Sequence, residues 1–292
     1  MINLEFIKIE HLSHVFKLNE GESENGKDNK VKEYKALDDI NLSLAQDDFI
    51  AIIGVNGSGK STLAKHLNGL LLPTEGQCFV DGIKVADDEH IWQVRQKVSM
   101  VFQNPDNQII ATVVEDDVAF GPENMGIERS EIKQRVDFAL KSLHIEHLRK
   151  MAPHLLSGGQ KQLTAIAGAL AMRTQCIVLD EPTAMLDPQG RCAVMKALRE
   201  LHDKYKIMIV MITHFMEEAI KANRVIVMDK GKIIKDGTPQ EIFRDKAKLK
   251  QIGLEVPLAV DIADDLRKRG LKLPEDILDN EQLAENLAKI LG

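Results

Sequence analysis

The sequence predicts an α/β protein built on a mostly parallel sheet, and two observations carry that prediction. Four short runs, 49–53, 176–179, 207–212 and 225–228, are apolar without alternation. Strands that read this way are covered on both faces, as parallel strands between helices are. Patterns with helical spacing lie between them, notably Leu63, Leu67 and Leu70, and the stretch 190–203.

The remaining elements follow in chain order. Residues 4–16 alternate well enough for a strand, and 37–44 resume a strand-like pattern. Between them the run 19–30 is wholly polar, buries too little apolar surface to order itself, and is expected to be an exposed insertion. Residues 104–156 are acidic and helically spaced (Ile132, Val136, Ala139, Leu140, Leu143), which predicts a helical insertion in the α/β core. After Gly253, Leu258, Ile262 and Leu266 lie at i, i+4 and i+8 with Ala259 and Ala263 beside them, and predict one apolar helix face. Leu283, Leu287 and Leu291 repeat the device, with Asp279 or Asn280 as cap. Two such short helices are not stable alone and must pack on the core or on a partner.

Composition excludes several classes. Of the 292 residues, 44% are hydrophobic and 28% charged, which is ordinary for a globular protein and excludes disorder as the main state. The aliphatic run 207–212 is far short of the ~20 apolar residues a membrane-spanning helix needs. Charges scattered through the first ten residues do not read as a secretory signal, so a cytosolic location is expected. Cys78, Cys176 and Cys192 stand far apart and read as reduced, packed thiols rather than as a redox pair or metal site. A net charge of −7 argues against a nucleic-acid surface, which wants clustered Lys and Arg.

The chemistry begins at Gly54, where Asn56, Gly57, Ser58, Gly59, Lys60, Ser61 and Thr62 complete a G-x-x-x-x-G-K-[ST] loop between a predicted strand and a predicted helix. Glycines let the backbone wrap phosphates closely, and N–H groups at the helix start point at the anion. Lys60 neutralises the β- and γ-phosphates, and the Ser61 hydroxyl ligates Mg²⁺. A nucleoside triphosphate is the expected ligand. The strand at 176–179 then delivers Asp180 to the Mg²⁺ shell and leaves Glu181 where a carboxylate polarises an attacking water. Taken alone these would be two strand-end carboxylates; the phosphate loop makes the functional reading the stronger one. Residues 156–160 (Leu-Ser-Gly-Gly-Gln) form a second anion-binding helix start, a weak signal by itself because Ser-Gly-Gly turns are common.

Together these segments resemble the ATP-binding-cassette (ABC) ATPases, with Walker A at 54–61, the signature at 156–160 and Walker B at 177–181. The resemblance spans roughly 4–245. It implies a P-loop NTPase fold with an antiparallel β subdomain, a helical subdomain at about 104–165, and ATP with Mg²⁺ as ligands. It also assigns Gln103 to the Q-loop at the metal, Asp187 to the D-loop beside the nucleotide, and His214 to the switch histidine. A lone histidine at a strand end would otherwise be read as a satisfied core residue. Phe16 matches the aromatic that stacks on adenine, with Tyr34 as the alternative. Ser157 and Gly159 would clamp ATP held by Walker A of a second subunit in a head-to-tail dimer.

A narrower resemblance lies in 102–108, 116–121, 67–73 and 253–257, which are similar to the ATPases of energy-coupling factor (ECF) transporters, in particular to the first of their two paralogues. It implies a peripheral protein on the cytoplasmic face of the membrane that energises uptake of vitamins or related micronutrients. Its implied partners are a second, paralogous ATPase, a transmembrane coupling subunit and interchangeable small substrate-binding membrane subunits. It makes 246–292 a C-terminal helical dimerisation domain. The acidic segment 104–123 (Asp106, Glu115, Asp116, Asp117, Glu123) is expected to receive a helix of the membrane partner. Two positions depart from the pattern: Leu163 stands where Arg is usual, and Thr174 where Pro is common. The ATPase of an importer fed by a soluble binding protein is the alternative, separated only by 103–108 and the tail. A soluble cassette protein of DNA repair or translation would show two cassettes, a long coiled coil or a basic face, and a non-catalytic module would lack Glu181, His214 or the signature.

Overall fold

In a computed structural model, which describes residues 5–19 and 31–291, the chain begins with two long antiparallel strands, β1 (Glu5–Asn19) and β2 (Val31–Ala45). The expected polar insertion lies outside the described residues, apart from the backbone of Asn19. There follow β3 (Phe49–Gly54), α1 (Lys60–Leu67), β4 (Glu75–Val80), β5 (Ile83–Lys84), α2 (Asp88–Lys97) and β6 (Val98–Val101). A helical stretch carries α3 (Val114–Asn124), α4 (Arg129–Ser142) and α5 (Gly158–Ala171). The second half runs β7 (Cys176–Asp180), α6 (Pro188–Tyr205), β8 (Met208–Ile212), α7 (Met216–Ala219), β9 (Arg224–Asp229), β10 (Lys232–Gly237), α8 (Pro239–Arg244), α9 (Lys246–Gln251), α10 (Leu258–Lys268) and α11 (Asn280–Leu291).

Two sheets organise these elements. The central one has the order β10-β9-β3-β8-β7-β6, parallel throughout except for the antiparallel edge strand β10. The four apolar runs are its four inner strands. Their side chains alternate between two cores, as the period of a strand requires. Phe49, Ala51, Ile53, Ile177, Leu179, Ile209 and Met211 pack on one side with α3, α4, α5 and α6. Ile50, Ile52, Val178, Val210 and Ile212 pack on the other with α1, Val94 of α2 and the second sheet, order β2-β1-β4-β5. Both faces are apolar because both are covered.

Three details differ from expectation. Leu70 is not on the α1 face: the helix ends at Leu67, and Gly69 (φ 68°) turns the chain left-handed. Gly69 N–H then bonds to His66 O and Leu70 N–H to Lys65 O, which closes the helix end with two reversed bonds. In the tail, α10 buries Ala259, Val260 and Ala263, whereas Leu258 (60% exposed) and Ile262 (38%) face outward. Small alanines let α10 lie close to Leu273, Ile277 and Leu283 of the segment it meets, and Val260 and Leu278 tie both to the main core. Asp279, whose carboxylate accepts the Gln282 N–H at 2.8 Å, is the cap of α11. Third, most of the acidic segment is used internally. Asp117 is buried and accepts the Ile110 and Ala111 N–H groups at 2.8 and 3.1 Å. Glu115 pairs with Arg149 and Lys150, and the exposed Asp106 with Lys161, leaving Asp116 and Glu123 exposed and without an ion pair among the described residues.

Cys78 and Cys176 are buried free thiols, with burial pushing Cys78 up to about 12, and Cys192 is an exposed one. Among the described residues no helix is long and apolar enough to cross a membrane.

The tail geometry is testable by denaturant unfolding of the full chain. Leu283→Ala is expected to cost about 2–5 kcal/mol, and Leu258→Ala no more than about 0.5 kcal/mol. The reverse order would mean that the other face of α10 is the buried one.

Candidate functional site

The site forms at the C-terminal ends of adjacent central strands, where open α/β sheets bind ligands. Strand β3, buried throughout, ends in the phosphate loop. Two glycines there are obligatory. A Cβ on Gly54 would sit 2.4 Å from Met228 O, and one on Gly59 2.6 Å from Ala36 O, with Gly59 at φ 101°. The loop is thus pressed between β9 and β2. The Ser58 hydroxyl is buried beside Gly54 and finds no partner among the described residues.

Lys60 folds back over this loop, its Nζ donating to Gly54 O at 2.8 Å and Val55 O at 3.1 Å. Burial pulls its pKa below the usual lysine range, against the attraction of Glu181 and Asp180. Ser61 Oγ donates to Asp180 Oδ1 at 2.9 Å, which joins the first turn of α1 to the end of β7. Burial raises the Asp180 pKa, the Ser61 hydrogen bond opposes it, and the neighbouring Glu181 raises it further.

Parallel pairing lines up the other groups. Val101 lies beside Leu179 and Asp180 beside Ile212, so the residues after β6, β7 and β8 emerge together. Gln103 Nε2 donates to Glu181 Oε2 at 3.1 Å, and His214 Nδ1 stands 3.5 Å from that same oxygen. Glu181 itself has φ 48°, rare for a residue with a side chain, and its N–H donates to Ile212 O at 3.0 Å. The structure therefore gathers residues 54–62, Gln103, Asp180, Glu181 and His214 into one site.

Ser157, Gly159 and Asp187 form a second cluster. Ser157 caps α5 in a reciprocal capping box with Gln160, and Asp187 caps α6. A Cβ on Gly159 would lie 3.1 Å from Gly190 Cα, so the two helix starts are packed against each other. Among the described residues no hydrogen bond or ion pair joins this cluster to residues 54–62.

Phe16 and Tyr34 are cross-strand neighbours. Phe16 is half-buried, edge-on to His14 at 4.5 Å, while Tyr34 is 47% exposed and its hydroxyl donates to Gly57 O at 3.1 Å. The alternative aromatic is thus the one fastened to the phosphate loop, a contact that spacing does not reveal. Leu163 is buried in the helical core, and Thr174 binds Ser99 Oγ at 2.9 Å, stitching the starts of β6 and β7. Motif reading also passes over Glu218; the only signal is a carboxylate four residues after His214, beside Met216 and Ala219, which are buried.

Comparison with known proteins agrees with this geometry. The family described as "ABC transporter" matches residues 37–184. The energy-coupling factor transporter ATP-binding protein EcfA1 of Clostridium novyi is 52% identical over 255 residues, 87% of this chain and 91% of that protein. Among solved structures, cbiO1 from Clostridium perfringens, part of the ABC transporter complex cbiONQ, superposes with a TM-score of 0.73 at 36% identity, covering 90% of this chain and 99% of that one. The ATP-binding cassette MJ0796, in a dimer bound to ADP and Pi, gives 0.69 at 29% identity over 80% of this chain and 98% of that one. The chain belongs to the ABC ATPases, which bind ATP and hydrolyse it to drive transport. Within them it is an ATP-binding subunit of an ECF-type transporter, a membrane-associated assembly, and the conventional-importer alternative is disfavoured.

The raised Asp180 pKa sets a sign. A carboxyl with a raised folded pKa gives stability that is full below its unfolded value and is lost as pH rises through the folded one. Asp180→Asn is therefore expected to raise the thermal midpoint of the ligand-free chain near neutral pH, the gain fading below about pH 4. Melting curves across that range check it, and a lowered neutral midpoint would contradict it.

Proposed function

We propose that Glu181 is the general base of ATP hydrolysis and His214 the sensor of the γ-phosphate. The observation that carries this reading is the single oxygen, Glu181 Oε2, approached by Gln103 Nε2 at 3.1 Å and His214 Nδ1 at 3.5 Å, one residue beyond Asp180. Asn56, Gly57, Ser58, Gly59 and Thr62 line the phosphates, and Lys60 neutralises their charge. Phe16 stacks on adenine, with Tyr34 bracing the loop beside it.

The donor set also fits Mg²⁺. That ion takes one or two protein oxygens and shares the rest with phosphate and water, and the hydroxyl and carboxylate joined at 2.9 Å are such donors. Among the described residues no cluster of three His, Cys, Asp or Glu offers an all-protein metal cage. Ser61 and the side-chain oxygen of Gln103 would hold the ion, with Asp180 in its shell, and bound Mg²⁺ supplies charge neutralisation at the β- and γ-oxygens. Glu181 is then left to accept the proton of the attacking water.

Ser157, Gly159 and Asp187 serve the nucleotide of a second subunit. Their packing as one surface, without a bond to their own phosphate loop, supports a head-to-tail dimer, and the second subunit is taken to be a paralogous ATPase. The segment 246–292 acts as its dimerisation domain, consistent with the outward-facing Leu258 and Ile262. A transmembrane coupling subunit docks on 104–123, where Ile110 and Phe120 are exposed beside Asp116. Small membrane subunits bind the vitamin or micronutrient, and the chain works from the cytoplasmic face without contacting nucleic acid.

Glu181→Gln is expected to lower ATP turnover in the assembled complex by about 10²- to 10⁴-fold, with nucleotide binding retained; unchanged turnover would remove the base assignment. Tagged chain extracted from native membranes in mild detergent should bring a second cassette ATPase, one coupling protein and several small hydrophobic proteins. Recovery with two symmetric permeases, or with soluble partners alone, would overturn the partner assignment.

A further inference from the structure

Glu218 is a buried carboxylate, 5% exposed, that lies outside the residues gathered at the strand ends above. Both of its oxygens are occupied by buried hydroxyls. Thr183 Oγ1 donates to Oε1 at 2.6 Å and Thr213 Oγ1 donates to Oε2 at 2.6 Å. Thr183 lies two residues after Glu181, and Thr213 immediately precedes His214. Thr213 Oγ1 in turn accepts the Phe215 N–H at 3.0 Å, and its own N–H donates to Ile52 O at 3.2 Å. The two turns that leave β7 and β8 are therefore locked together twice, by Glu181 N–H on Ile212 O and by the Thr183–Glu218–Thr213 bridge.

We propose that Glu218 is a positioning residue for hydrolysis. Its carboxylate sets the separation of Glu181 and His214 by bridging the threonines beside them. The inference rests on the reading of Glu181 as the base. A left-handed backbone at a non-glycine residue persists only where its surroundings hold it, and this bridge grips the turn just beyond Glu181. The chemistry calls for a carboxylate. Two hydroxyl donors need two acceptors, and the two carboxyl oxygens supply one to each. A glutamine of the same shape offers one acceptor, so the hydroxyl that faces its NH₂ loses the acceptor for its own proton.

The test is steady-state ATPase kinetics of the assembled transporter, with nucleotide affinity and thermal midpoint measured alongside. Glu218→Gln is expected to lower kcat per folded protein by about 10- to 100-fold, the cost of a small misplacement of reacting groups, with KM little changed. Thr213→Val should behave alike, and Thr213→Ser, which keeps the hydroxyl, should restore turnover relative to it. An unchanged kcat in Glu218→Gln, or a loss that only tracks a loss of folded protein, overturns the inference. Glu181→Gln run in parallel separates the two readings. If it loses turnover while Glu218→Gln keeps it, the positioning role alone falls; if it keeps turnover, the base assignment falls and the positioning role with it.

Discussion

The whole site depends on a sheet that is buried on both faces. Because successive residues of a strand point opposite ways, Phe49, Ala51 and Ile53 belong to one core, and Ile50 and Ile52 to the other. A register slip of one residue would exchange the two sets and set every strand end at a new height. Parallel pairing of β3 with β8, of β8 with β7 and of β7 with β6 then brings four strand ends to one edge. The phosphate loop, His214, Asp180 with Glu181, and Gln103 meet there because they are the next residues along the chain.

That edge concentrates charge in a partly dry environment. Lys60 is held over carbonyls of its own loop, Asp180 is held by a hydroxyl, and burial pushes both toward their neutral forms. Such an arrangement is costly without a ligand and favourable with one. A polyanion beside Lys60 would offset the hydration that burial removes from its ammonium group. The starts of α5 and α6 are each closed by a side chain instead, Ser157 accepting the Gln160 N–H and Asp187 the Gly190 N–H.

The tail shows how far periodicity reaches. Leu258, Ile262 and Leu266 do lie along one line of α10, but only Leu266 packs on the tail core, and the other two face outward. Ala259 and Ala263 won the interior because small side chains let α10 approach Leu273, Ile277 and Leu283 closely, and Val260 reached the main core. The acidic segment holds the same lesson in electrostatic form. Asp117 reads as surface charge, yet its carboxylate caps the Ile110 and Ala111 N–H groups from inside the fold.

The sequence by itself determined the α/β class, the strand carrying the phosphate loop, the Asp180–Glu181 strand end and the family, because each is a local pattern. A buried parallel strand must be continuously apolar, and a backbone that wraps phosphate must be rich in glycine. Only the tertiary structure decided that Gln103 and His214 share one oxygen of Glu181, that Tyr34 braces Gly57, and that Glu218 joins Thr183 to Thr213. Those contacts join residues from different strands and turns. Their geometry is set by sheet order and strand register, which no single stretch of chain encodes.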